Sequence, residues 1–136
     1  MSDSSWSEWK LWKTMQGSAG PFPPEAFQFV REGLSHTVKI VHGDAAASAP
    51  VSDEDDSRHV SGQQLCIGLR DYAIRQYGLL ARTVLTRWHI QRTDDFGRIV
   101  FAMIDAGLLR KTDDDTLEDF REVFDFDEAF SELKSN

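Results

Sequence analysis

The sequence predicts a mainly α domain of the α+β class: a three-helix core, a small β-hairpin after it, and additional helices before it. Three observations predict this. Apolar residues recur at helical spacing in segments that open near Pro24, Gly62, Leu80 and Thr93. Glycines stand where three of these segments end, at Gly43, Gly78 and Gly107. After Gly107 the period changes, from helical spacing to short apolar runs separated by acids.

Taken in order, Ser5 to Gln16 reads as a short amphipathic helix. Ser5 and Glu8 have capping-box spacing, and Trp6, Trp9 and Trp12 fall along one stripe. This Trp-rich arm, residues 1–20, is either docked on the core or offered to a partner. Pro23 and Pro24 suit a helix start, and Phe27, Val30, Leu34, Val38 and Val41 then share one face. Residues 43–60 hold small residues, a proline and consecutive acids, the composition of a flexible solvated loop. The part before this loop is too small to hold its own core, so residues 21–136 form one domain.

Ser61 and Gln64 have the spacing of a second capping box, with Val60 placed to staple against Leu65. Leu65, Leu69, Tyr72 and Ile74 continue that helix to about Gly78. Leu80, Ala81, Val84, Leu85 and Trp88 make another. Thr93 is placed to cap a third, whose inner face carries Phe96, Ile99, Val100, Met103 and Ile104. Leu108 to Thr112 then reads as a strand, Asp113 to Asp115 as a turn, and Phe120, Phe124 and Phe126 as a return strand. The last residues suggest a short acidic helix. Three helices, a short turn at His89–Arg92 and a hairpin are the order of a winged helix.

At the level of sequence the chain resembles an uncharacterised family of conserved hypothetical proteins of planctomycetes and verrucomicrobia. The resemblance is carried by PPEAFQFVREGL, HVSGQQLCIGLRDYAIRQYGLLARTVLTRW, TDDFGRIVFAMIDAGLL and EDFREVFDFDEAF, spanning Pro23 to Phe130. It implies a bacterial, soluble protein and brings no catalytic residue with it.

Composition narrows the function further. Net charge is −8, yet residues 61–111 carry eight basic and four acidic groups, and residues 112–136 carry two and ten. The overall balance opposes bulk nucleic-acid binding, which needs cations to displace counterions. No signal peptide and no apolar run of about 18 residues is evident, so no membrane span is expected. Cys66 is the sole cysteine and fits a reducing, cytoplasmic setting. The four histidines lack metal-ligand spacing, the acids after Asp113 fail the calcium-loop pattern, and Asp95-Phe96-Gly97 stands without the other motifs of a kinase. No metal, no cofactor and no enzymatic activity is expected.

Six arginines, Arg70, Arg75, Arg82, Arg87, Arg92 and Arg98, have no lysine among them, and the first lysine of this half is Lys111. Arg82, Arg87, Trp88, Arg92 and Arg98 are the candidate partner- or phosphate-binding residues; Trp6, Trp9 and Trp12 are a candidate docking stripe. The competing reading is that these arginines pair with the C-terminal acids. Asp94 and Asp95 favour the positive end of a helix dipole and would be repelled by DNA phosphates, so major-groove reading by that helix is disfavoured. The expectation is a protein-interaction or adaptor domain whose partner is a protein, a second copy of the chain included. The alternative is a nucleic-acid-binding regulator using the arginines of residues 70–98.

Overall fold

The computed structural model describes residues 20–43, 59–110 and 115–131. The Trp6–Trp9–Trp12 stripe, most of the acidic loop and Lys111 to Asp114 lie outside them. Among the described residues are five α-helices and two short 3-10 turns. The helices are α1 (Pro24–His42), α2 (Gly62–Tyr77), α3 (Ala81–Arg87), α4 (Thr93–Asp105) and α5 (Phe126–Ser131). The 3-10 turns are Gly78–Leu80 and Leu117–Phe120.

α1 and α2 form an antiparallel pair. Two glycines let them approach closely: a Cβ on Gly33 would collide with the Leu69 side chain, and one on Gly68 with Thr37. Thr37 is buried in this seam, and its hydroxyl donates to the Gly33 carbonyl at 2.7 Å, so no donor is stranded there. The capping box predicted for α2 is present. Gln64 N donates to Ser61 Oγ (3.1 Å) and Ser61 N donates to Gln64 Oε1 (2.9 Å).

Phe29 on α1 is the hub of the core. Its ring lies 5.6 Å from those of Tyr72 and Trp88 and 6.5 Å from that of Phe96, so it joins α1, α2, the end of α3 and α4. α4 buries Phe96, Ile99, Val100 and Met103, as its periodicity predicts. The segment near Leu80 departs from prediction. Its first turn is 3-10, and Leu80 points outward, 62% exposed.

Both α3 and α4 stop in the same way. His89 N donates to Thr86 O and Ile90 N to Leu85 O; Gly107 N donates to Ile104 O and Leu108 N to Met103 O. These are paired 5→2 and 6→1 bonds around a left-handed residue, at φ 67° for His89 and 81° for Gly107. Ile90 and Leu85 are both fully buried, the apolar contact that accompanies this motif.

The β-hairpin is the prediction that the structure corrects. No strand is present among the described residues, so the wing is not supported. Residues 115–131 instead run as a strap of two short helical turns across the helices. The reason lies in its aspartates and phenylalanines. Asp119 accepts from Thr116 N (3.1 Å), and Asp125 Oδ1 accepts from Asp127 N (2.8 Å) and Glu128 N (3.2 Å), so both aspartates curl the backbone into helical turns. Phe120 then lies flush on two glycines. A Cβ on Gly97 would stand 2.9 Å from Phe120 Cβ, and one on Gly62 would stand 3.0 Å from Phe120 Cε1. Gly97 is thus covered by a strap phenylalanine rather than by another helix. Phe126 and Phe130 complete the burial, at 3% and 2% exposure.

Candidate partner-binding site

The first turn of α4 is where a helix-turn-helix would meet bases, and its three polar side chains are all committed. Asp95 Oδ2 accepts from Gln91 N (2.9 Å) and Arg92 N (3.3 Å), closing the helix start on itself. Thr93 Oγ1 accepts from Val123 N (3.1 Å), and Asp94 Oδ1 accepts from Glu122 N (3.3 Å). The residue read as a cap, Thr93, is therefore the first residue of the helix and serves the strap instead; the capping falls to Asp95. Glu122 sits at φ 49°, a left-handed conformation uncommon outside glycine. The two anchored amides, its own and that of Val123, hold it there.

Two arginines tie down the far end of the strap. Arg70 donates through Nε and Nη2 to the carbonyl of Ala129, at 3.3 and 3.2 Å. Arg82 Nη2 donates to Asp127 Oδ1 at 2.9 Å, and its guanidinium carbon stands 5.3 Å from the centre of the Phe126 ring. Arg82 Nη1 is buried and has no hydrogen-bond partner among the described residues. An exposed ion pair of this kind contributes at most about 1 kcal/mol, so the ring contact and the buried phenylalanines hold the strap more than the charge does.

Between α3, the start of α4 and the strap lies an open cleft of about 320 Å³. Its apolar wall is Phe124 and Phe126, stacked with centroids 5.7 Å apart. Its ionisable lining is Arg82 and Arg92 against Asp94, Glu122, Asp125 and Asp127, two cations facing four carboxylates.

Of the residues predicted from sequence, Arg82 and Arg92 line this cleft together. Arg92 is exposed and makes no ion pair among the described residues, and the same holds for Arg87, which is not part of the cleft lining. Arg98 is exposed and stands 3.8 Å from Asp95. Trp88 is half-buried against Phe29 and Tyr77, a core role. Arg75 pairs with Asp71 on its own helix at 2.7 Å. The expected pairing of arginines with C-terminal acids is thus realised by Arg82, while Arg70 reaches a backbone carbonyl. Sequence reasoning missed Phe124, Glu122 and Asp125 as cleft residues. Their only signal was the DF-rich segment itself, which alternation assigned to a strand.

Burial pushes the Cys66 thiol up to about 12, with the Asp94 carboxylate adding to the effect, so it stays protonated at neutral pH. Among the described residues no three His, Cys, Asp or Glu side chains come together as metal ligands. No helix there is long and apolar enough to cross a membrane. In comparisons with family models, curated proteins and solved structures, none matches the chain.

Proposed function

We propose that the chain is a non-catalytic protein-interaction domain. The observation that carries this reading is the turn between α2 and α3, where Leu79 and Leu80 stand side by side at 71% and 62% exposure. Single exposed leucines are ordinary, but an adjacent pair on one short turn is a contact point that water does not favour. The strapped start of α4 supports the same reading, because its polar side chains are occupied and its surroundings are acidic. The test uses the immobilised full chain and a Leu79→Ser/Leu80→Ser variant with an unchanged circular dichroism spectrum and melting temperature. Proteins retained from a bacterial lysate by the wild type and lost with the variant support the reading. Identical retention by the two contradicts it.

A second reading has its own observation. Arg87 and Arg92 are exposed and unpaired among the described residues, as cations available to phosphate would be. A nucleic-acid-binding regulator using the arginines of residues 70–98 would retard a duplex or RNA probe at about 50 mM salt and release it steeply as salt rises. Absence of retardation at that salt removes this alternative.

A further inference from the structure

The cleft contains one filled position for a cation and one of similar composition that holds no cation among the described residues. In the filled one, the Arg82 guanidinium lies over the Phe126 ring and pairs with Asp127. Beside it, Phe124 is stacked on Phe126, with Asp125 next to it in sequence and Glu122 two residues before it, all three lining the cleft. No guanidinium of a described residue lies over Phe124. The nearby carboxylates are only partly occupied. Asp125 uses one oxygen to cap α5, and Glu122 meets Arg121 at 3.7 Å through side chains that are both mostly exposed. Arg92 is the one lining cation without an ion pair among the described residues, in a cleft where carboxylates outnumber cations two to one.

We propose that this cleft docks a basic segment of a partner protein, with an arginine side chain of the partner laid against Phe124 between Glu122 and Asp125. The proposal rests on the protein-interaction reading above and adds to it the chemistry of the partner. Charge complementarity selects a cation over an anion, since a phosphate or carboxylate entering the cleft would meet the outnumbering acids. The aromatic wall selects arginine over lysine. A planar, weakly hydrated guanidinium stacks on a ring face and still offers its edge to carboxylates, as Arg82 already does a few ångströms away. The excess of acids among residues 112–136 would also steer a basic segment toward this side of the molecule.

The experiment titrates the full chain with a hexa-arginine peptide at about 50 mM salt, where steering between exposed charges is strong, following backbone amide chemical shifts. Hexa-lysine and hexa-glutamate are the comparators. The expected result is shift changes centred on residues 122–127, with hexa-arginine bound more tightly than hexa-lysine and hexa-glutamate not bound. Phe124→Leu keeps an apolar side chain and removes the ring; it should weaken hexa-arginine binding roughly two- to five-fold, the range of an exposed cation–π contact. Glu122→Gln/Asp125→Asn should also weaken it, and asparagine retains the cap of α5. Glu25→Gln/Asp105→Asn removes the same charge from two exposed positions outside the cleft and should weaken binding less. Arg92→Ala should tighten binding.

Equal weakening by the two double variants would overturn the proposal, because it would reduce the effect to the net charge of the chain. So would shifts centred elsewhere, tighter binding of hexa-glutamate, or no binding at all. Any of these failures, with the Leu79/Leu80 variant still losing a partner, would leave the interaction reading standing without this site. Failure of the Leu79/Leu80 test would strike that reading itself.

Discussion

Two contacts in this molecule are built on pairs of glycines, and they differ in what they leave exposed. In the α1–α2 seam, Gly33 and Gly68 let two long helices close on each other, and the polar groups at its edge satisfy one another. His36 Nε2 and Asp71 Oδ2 are 2.7 Å apart, Arg75 Nε donates to the same oxygen at 2.7 Å, and Tyr72 donates to Glu32 at 3.0 Å. Under the strap, Gly97 receives Phe120 and Gly62 receives Phe120 together with Asp119, and the strap leaves an open cleft beyond them. The seam is complete in itself. The strap closes the start of α4 but leaves Phe124 and Arg92 lining a cleft, which is why the candidate site lies on this side.

The strap is most vulnerable at Phe120. Phe120→Ala should remove the ring that lies over both glycines and cost about 3–5 kcal/mol, read as a large drop in denaturant midpoint. A loss below about 1 kcal/mol would mean that the strap is not part of the core. Gly68→Ala should come next, at roughly 1–3 kcal/mol, because a new methyl would meet Thr37 Oγ1 and Cβ with no room to retreat. Gly97→Ala should cost less than Gly68→Ala. Both helices gain up to about 1 kcal/mol from alanine, but Phe120 belongs to a short strap that can shift, whereas Thr37 is fixed on a long helix.

The seam is also where pH should act. Burial pushes the Asp71 carboxyl up, but the hydrogen bonds and charges of His36 and Arg75 outweigh it and hold it below its ordinary value. A carboxyl depressed on folding stabilises the fold above its unfolded pKa of about 3.9, and the contribution is lost as pH falls through the lower folded value. The melting-temperature difference between wild type and Asp71→Asn should therefore be present at neutral pH and vanish in acid. A difference that stays constant with pH would remove the carboxylate from the seam. The smallest expected effect lies away from both contacts. His89→Gly should stabilise the chain by at most about 1 kcal/mol, since glycine adopts the left-handed turn after α3 without a Cβ penalty.

The seam and the strap also differ in how far the sequence disclosed them. The two helices of the seam were legible because each carries its own signal: the face of Phe27, Val30 and Val38, the Ser61–Gln64 box, and the stops at Gly43 and Gly78; their pairing through Gly33 and Gly68 was not. The strap was misread because its signal is not local. Phe120, Phe124 and Phe126 alternate as strand residues do, and what turns them into a strap is the absence of side chains on Gly62 and Gly97, far away in the chain. Thr93 and Asp94 look like helix-start chemistry, and nothing in their neighbours reveals that they hold the amides of residues 122 and 123. For the candidate site, Arg82 and Arg92 were legible as arginines in a basic segment. The cleft between them exists only once the strap has folded over α4.

The most direct test of that closure is amide hydrogen exchange at Val123, compared with Gln91, in wild type and in Thr93→Val. Closure of α4 by the strap predicts a protected Val123 amide in the wild type. In the variant its exchange should accelerate, while Gln91, held by Asp95, keeps its protection. A Val123 amide that already exchanges at the unprotected rate in the wild type would show that the strap does not close the start of α4.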